Sequence, residues 1–146
     1  MKVRDLMTSQ PATLSPDDSC AQAATRMREE DCGSLPIVLD GRLVGIVTDR
    51  DIVIRAVAAG RDPKTTKVSE VMSADPVTVM PETSVDEASD LMAEFQVRRL
   101  PVVEDGRLVG ILVTAQLARG ERPKAVGETI KDISEPASGR GSHARG

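Results

Sequence analysis

Shifted by 65 residues, the chain lies on itself without a gap. Val3-Arg4-Asp5-Leu6-Met7 falls on Val68-Ser69-Glu70-Val71-Met72, and Pro11, Thr13, Pro16 and Ser19 fall on Pro76, Thr78, Pro81 and Ser84. The stretch Asp40-Gly41-Arg42-Leu43-Val44-Gly45-Ile46 recurs unchanged as Asp105-Gly106-Arg107-Leu108-Val109-Gly110-Ile111. Self-similarity over this length means one supersecondary unit used twice, each copy too small to bury its apolar face alone. At 146 residues the chain suffices for two such half-size units.

Each copy reads as the same series of elements. An opening turn or short helix ends at Met7 or Met72, and a short strand follows (12–14 and 77–79). Ser19 with Gln22, and Ser84 with Glu87, have the spacing of a capping box at a helix start. Cys20, Ala23, Ala24 and Met27 then recur at helical spacing, as do Val85, Ala88, Met92 and Phe95. Two strands come next as a hairpin about Asp40-Gly41, or Asp105-Gly106, a dipeptide suited to the positive φ angles of a tight turn. In the first copy a last helix is expected from Asp49 to Ala59, with Ile52, Val53, Ala56 and Val57 as its buried stripe and Gly60 as its stop.

On this reading the first copy spans 1–60, a polar, proline-broken linker 61–67, and the second copy 68–120. Its last helix is expected to be short because Gly120 and Pro123 interrupt it. A helical extension follows at 121–133, then a Gly-, Ser-, Pro- and Arg-rich tail at 134–146 that is expected to be disordered.

Composition removes several function classes. The net charge of −4 and a pI near 5.1 give no basic surface for DNA or RNA. Phe95 is the sole aromatic residue, which leaves no stacking platform for single-stranded nucleic acid. No apolar run approaches membrane-spanning length, and Lys2 and Arg4 are not followed by a signal-type apolar stretch, so a cytoplasmic protein is expected. Cys20 and Cys32 fall in one expected helix, about 18 Å apart along its axis, whereas a disulfide needs Cα atoms within about 7 Å. His143 is the only histidine, so neither metal-ligand spacing nor a nucleophile beside a base is present, and no enzymatic activity is expected.

The βαββα repeat carries two motifs. Leu35-Pro36-Ile37-Val38 and Leu100-Pro101-Val102-Val103 open the middle strands; Gly45-Ile46-Val47-Thr48-Asp49-Arg50-Asp51-Ile52 and Gly110-Ile111-Leu112-Val113 close the last ones. With these motifs, residues 1 to 120 resemble the CBS domain family, and in particular stand-alone bacterial two-repeat proteins of the hypoxic-response type. The resemblance implies an α/β (α+β) fold in which two CBS-type repeats pack with pseudo-two-fold symmetry as a Bateman module. It also implies a disk-shaped homodimer and an adenosine-containing ligand such as AMP, ADP, ATP, S-adenosylmethionine or a dinucleotide in the cleft between repeats.

In that family the Thr and Asp of the closing motif hold a ribose, which here implies Thr48 and Asp51. The chemistry is suitable, since an ionised carboxylate accepts both ribose hydroxyls through charge-assisted bonds. The helix starting there would also turn free amides toward a phosphate. The same Thr-x-x-Asp spacing is a capping box, needed only to begin a helix, and the sequence leaves both roles open. In the second copy the equivalents are Val113 and Gln116, which lack the hydroxyl and the charge, with Thr114 as a substitute helix cap. One competent site at most is therefore expected.

Arg98 and Arg99 stand where the family often places phosphate-binding cations, and Arg50 adjoins Asp51. Thr13 and Ile37 are candidates to line an adenine pocket. Each of these has an ordinary structural alternative, as a surface arginine or a core residue. The function implied is a ligand-sensing regulatory module acting in trans on an effector protein; the alternative is a structural or interaction homodimer that binds no nucleotide.

Overall fold

The computed structural model describes residues 1–120, and in it the Asp40-Gly41 dipeptide turns the chain with φ of 51° and 82°. Asp105-Gly106 repeats the geometry at 54° and 80°. Both residues of each pair have positive φ, the condition for a two-residue turn whose twist matches its strands. The first turn joins β2 (Ser34–Leu39) to β3 (Arg42–Thr48). The second joins β4 (Arg99–Glu104) to β5 (Arg107–Val113). Both hairpins are antiparallel, and each slips register by a bulge at the same place, between Ile37 and Val38 or Val102 and Val103.

Short helices and strands complete the series: α1 (Val3–Leu6), β1 (Thr8–Ser9), α2 (Cys20–Glu30), α3 (Asp49–Ile52), a 3-10 turn at Val68–Glu70, α4 (Val85–Phe95) and α5 (Thr114–Gly120). The capping box expected at Ser19 and Gln22 is present, each side chain satisfying the other's amide. Ser84 Oγ accepts the Glu87 N–H at 3.1 Å. The short strands expected at 12–14 and 77–79 reduce to single parallel bridges, Leu14 with Ile37 and Val79 with Val102.

The described residues form two compact units, Ala12–Pro76 and Met1–Pro11 with 77–120. These limits do not coincide with the sequence repeat. Residues 61–67, read above as a linker, lie inside the first of these units, and the opening segment of each copy belongs with the body of the other. Val68 and Val71 are fully buried in a core with Leu14, Cys20, Ile37 and Val47. Val3 is fully buried with Val79, Met92 and Leu100.

Backbone pairing fixes the exchange, with the same bonds in both units. Val68 N–H donates to Asp18 O and Val3 N–H to Thr83 O, both at 2.8 Å. Ser73 pairs with Ile46 on β3, and Thr8 with Ile111 and Ser9 with Gly110 on β5. Charge pairs match too: Lys67 contacts Asp17 at 3.3 Å, and Lys2 contacts Glu82 at 2.7 Å. Where each opening segment crosses its strand, a glycine leaves room for a thioether. A Cβ on Gly45 would lie 2.5 Å from Met72 Sδ, and one on Gly110 would lie 2.7 Å from Met7 Sδ.

Three sequence expectations are corrected. Helix α2 ends at Glu30, and Asp31, in the left-handed conformation at φ 51°, turns the chain so that Cys32 lies beyond the helix. Both cysteines are buried. Within α2 and α4 the core takes Cys20, Ala23, Met27, Val85, Ala88 and Met92, leaving Ala24 and Phe95 exposed.

The last helix of the first copy does not bury the stripe expected of it. Only Asp49–Ile52 is α-helical; Val53–Val57 forms a π turn, and Gly60 ends the segment at φ 76°. Bonds from Ala58 N–H to Val53 O and from Arg61 N–H to Ala56 O span five residues, which widens the helix. It touches its unit along one edge, so Ile52 and Ala56 are buried while Val53, Ile54 and Val57 are about half exposed, at 53%, 51% and 56%. The expected extension at 121–133 and tail at 134–146 lie outside the described residues.

Candidate functional site

Strand β3 ends and helix α3 begins at Thr48, because its extended backbone and side-chain hydroxyl make it an N-cap. Thr48 Oγ1 accepts the Asp51 N–H at 3.0 Å, and Asp51 Oδ2 accepts the Thr48 N–H at 3.0 Å. The capping box is thus complete, and the helix-starting role of the pair is a fact of the structure. It leaves something over. The pairing engages one carboxylate oxygen, and among the described residues the cation facing the other is Arg55, whose Nε lies 3.9 Å from Oδ1. That distance exceeds a hydrogen bond. Asp51 therefore keeps acceptor capacity, at a side chain only 13% exposed, and the Thr48 hydroxyl keeps its own proton to donate.

The free amides expected at this helix start are not there. Asp49 N–H donates to Gly33 O at 2.9 Å, Arg50 N–H to Asp49 Oδ1 at 2.8 Å, and Asp51 N–H to Thr48 Oγ1. A helix start binds a phosphate through unsatisfied amides, and these three already have acceptors. Positive charge for an anion must come from side chains instead.

Arg55 is the residue that sequence reading passed over. Its Nη1 donates to Val71 O at 3.1 Å and to Met72 O at 3.4 Å, while its Nε faces Asp51. It thereby links the closing motif to the opening segment packed in the same unit. The four-residue spacing from Asp51 was a usable signal, since such pairs share a helix face.

Other sequence candidates fall in different places. Arg50 is exposed beside Asp51. Ile37 is fully buried, opposite Gly45 in the hairpin, so its side chain presents no surface to a ligand. Thr13 is exposed and opens onto another groove of about 460 Å³, lined with it by Leu14, Asp18, Gln22, Arg26 and Glu29 among others on α2. Thr48 and Asp51 are not part of that lining. Arg98 and Arg99 are half-buried in the other unit, where Arg98 O accepts both the Thr114 N–H and hydroxyl.

In that unit the position of Asp51 is filled by Gln116, which is buried. Its Oε1 accepts the Val113 N–H at 2.8 Å, and its Nε2 donates to Thr8 Oγ1. Gln116, not Thr114, caps this helix start, and its amide is spent on the opening segment. Val113 supplies no hydroxyl. The two copies are thus equivalent as folded units and unequal in what they offer a ligand.

Electrostatic perturbation lies at the opening segments. The Lys67 N–H and the Arg61 guanidinium hold Glu70 below the usual carboxylate range; Lys2, with Arg4, does the same for Glu82. Burial pushes the Cys20 thiol up, with Arg61 opposing and Glu70 adding to it. Among the described residues no group of three or more His, Cys, Asp or Glu side chains could hold a metal ion, and no helix is long and apolar enough to cross a membrane.

Comparison with known proteins places these features in a family. The family described as CBS domain matches residues 3–57 and again 68–119. The CBS domain-containing protein YhcV of Bacillus subtilis is 44% identical over 133 residues, which are 90% of this chain and 94% of YhcV. The crystal structure of Hypoxic Response Protein I with two coordinated zinc ions shares 41% identity at a TM-score of 0.76, covering 84% of this chain and 100% of that one. CBSX2 of Arabidopsis thaliana in complex with AMP shares 30% identity at a TM-score of 0.71, covering 82% of this chain and 94% of that one.

Proposed function

This chain belongs to the CBS domain family, in two copies, and on that premise we propose that it is a regulatory module that binds an adenosine-containing nucleotide at Thr48 and Asp51 and signals to an effector protein in trans. One observation carries the reading: Asp51 completes a capping box with one oxygen and still has acceptor capacity on the other. Two vicinal ribose hydroxyls are the donors such an oxygen suits. A relative 30% identical to this chain is known in complex with AMP, which makes AMP the first ligand to test. A cytoplasmic location goes with that role.

For ligand binding to regulate, the nucleotide must favour one arrangement of the protein over another. A thermal-shift screen with AMP, ADP, ATP, NAD, S-adenosylmethionine and cyclic dinucleotides, repeated on Asp51→Ala, tests the reading. Stabilisation by one of them that vanishes in the variant supports it. No shift with any at millimolar concentration sinks it.

The second reading, a structural or interaction homodimer that binds no nucleotide, draws on a different observation. Val53, Ile54 and Val57 present adjacent aliphatic side chains to solvent on the π turn. We propose that a second copy of the chain covers this face.

A further inference from the structure

We propose that Arg55 sets the ligand class of this site, selecting a phosphorylated nucleoside over the bare nucleoside. The inference rests on the nucleotide reading above and goes beyond it. A ribose clamp made of Thr48 and Asp51 does not distinguish adenosine from AMP, because both carry the same vicinal hydroxyls. The amides of Asp49, Arg50 and Asp51 cannot make the distinction either, since each already has an acceptor. A cationic side chain beside Asp51 is required.

Arg55 has the position and the spare donors. Its side chain is 53% exposed, and its Nε lies 3.9 Å from Asp51 Oδ1. The carbonyls of Val71 and Met72 engage Nη1 alone, at 3.1 and 3.4 Å. A guanidinium has five N–H donors in a planar fork, so Nη2 and Nε can still serve a phosphate while the two carbonyls hold the group in place. An anchored cation loses little conformational freedom on meeting the ligand. Two other cations of this unit are engaged by carboxylates, Arg61 by Glu70 and Lys67 by Asp17, whereas Arg55 is held by carbonyls at Nη1 and stands beside Asp51.

The test is calorimetric titration of adenosine and of AMP into the full chain and into Arg55→Met, Arg55→Lys and Asp51→Ala. Wild type is expected to bind AMP at least about tenfold more tightly than adenosine, one charge-assisted contact's worth. Arg55→Met is expected to bring AMP to the affinity of adenosine and leave adenosine unchanged. Arg55→Lys, which keeps the charge, should restore part of the preference. Raising the salt concentration should shrink the preference in wild type and in Arg55→Lys, and Arg55→Met should show none to shrink.

If Arg55→Met keeps the AMP preference, or weakens both ligands equally, the inference is overturned, since Arg55 then serves only to shape Asp51. Adenosine binding that Asp51→Ala leaves intact would overturn the ribose clamp itself. Retention of the wild-type urea midpoint by Arg55→Met separates loss of a contact from loss of the fold.

Discussion

Thr48 and Asp51 each satisfy the other's backbone amide, at 3.0 Å in both directions, so the pair proposed to hold a ligand is also the pair that starts a helix. The two roles separate by substitution. Thr48→Ala is expected to lower stability by about 1 kcal/mol through loss of the cap. Thr48→Ser should retain it. Urea denaturation of both variants without ligand measures the structural part on its own.

Gly45 and Gly110 each sit beneath a methionine of the exchanged segment. Alanine at either place puts a Cβ 2.9 Å from a backbone carbonyl, Ser73 O or Thr8 O, as well as against the thioether. Overpacking of this kind costs about 1–3 kcal/mol. Adding Met72→Ala to Gly45→Ala should recover only part of the loss, because the carbonyl contact remains. A double-mutant cycle by denaturation checks this.

Glu70 and Glu82 are held below the ordinary carboxylate range in the folded chain. Their contribution is therefore fully present above the unfolded value, about 4.3, and is lost as pH falls through the lowered folded values. Melting temperature should drop more steeply below about pH 4.3 in wild type than in Glu70→Gln/Glu82→Gln. Parallel curves would remove these two pairs from the account of acid lability.

Cys20 is fully buried, and its thiol is pushed up by that burial. Since the thiolate is the reactive form, a disulfide reagent at pH 8 should label Cys20 at the rate of unfolding. Urea should accelerate labelling in step with loss of helical signal. Fast labelling in native buffer would contradict the packing described.

The aliphatic face of Val53, Ile54 and Val57 carries the homodimer proposal. Val53→Glu/Val57→Glu is expected to yield monomers in sedimentation velocity with unchanged circular dichroism, because both side chains lie outside the core. Wild type should sediment as a dimer. A monomeric wild type at high micromolar concentration would end the proposal.

Much of the fold was legible in the sequence because its signals are local. Asp40-Gly41 and Asp105-Gly106 need only their own φ preferences to turn a chain, and Ser19 needs only Gln22 nearby. The exchange of opening segments was not, since aligning Val68 with Val3 shows that they are equivalent and says nothing about which core each enters. The stripe from Ile52 to Val57 misled for a related reason. Periodicity gives the width of an apolar face but not the width of the contact that covers it. At the candidate site, the closing motif pointed to Thr48 and Asp51 without showing that the first-turn amides were already satisfied. Arg55 escaped because its anchors, Val71 and Met72, follow it by 16 and 17 residues.

The exchanged openings alter what it means to halve this molecule. The unit Ala12–Pro76 is one full period of the repeat in a shifted phase, and it interrupts the other unit as an inserted domain interrupts its host. A cut within 61–67 therefore yields two fragments that each carry a piece of both bodies, and neither fragment corresponds to one of them. A continuous gene fragment can encode the unit that holds Thr48, Asp51 and Arg55; the other requires two.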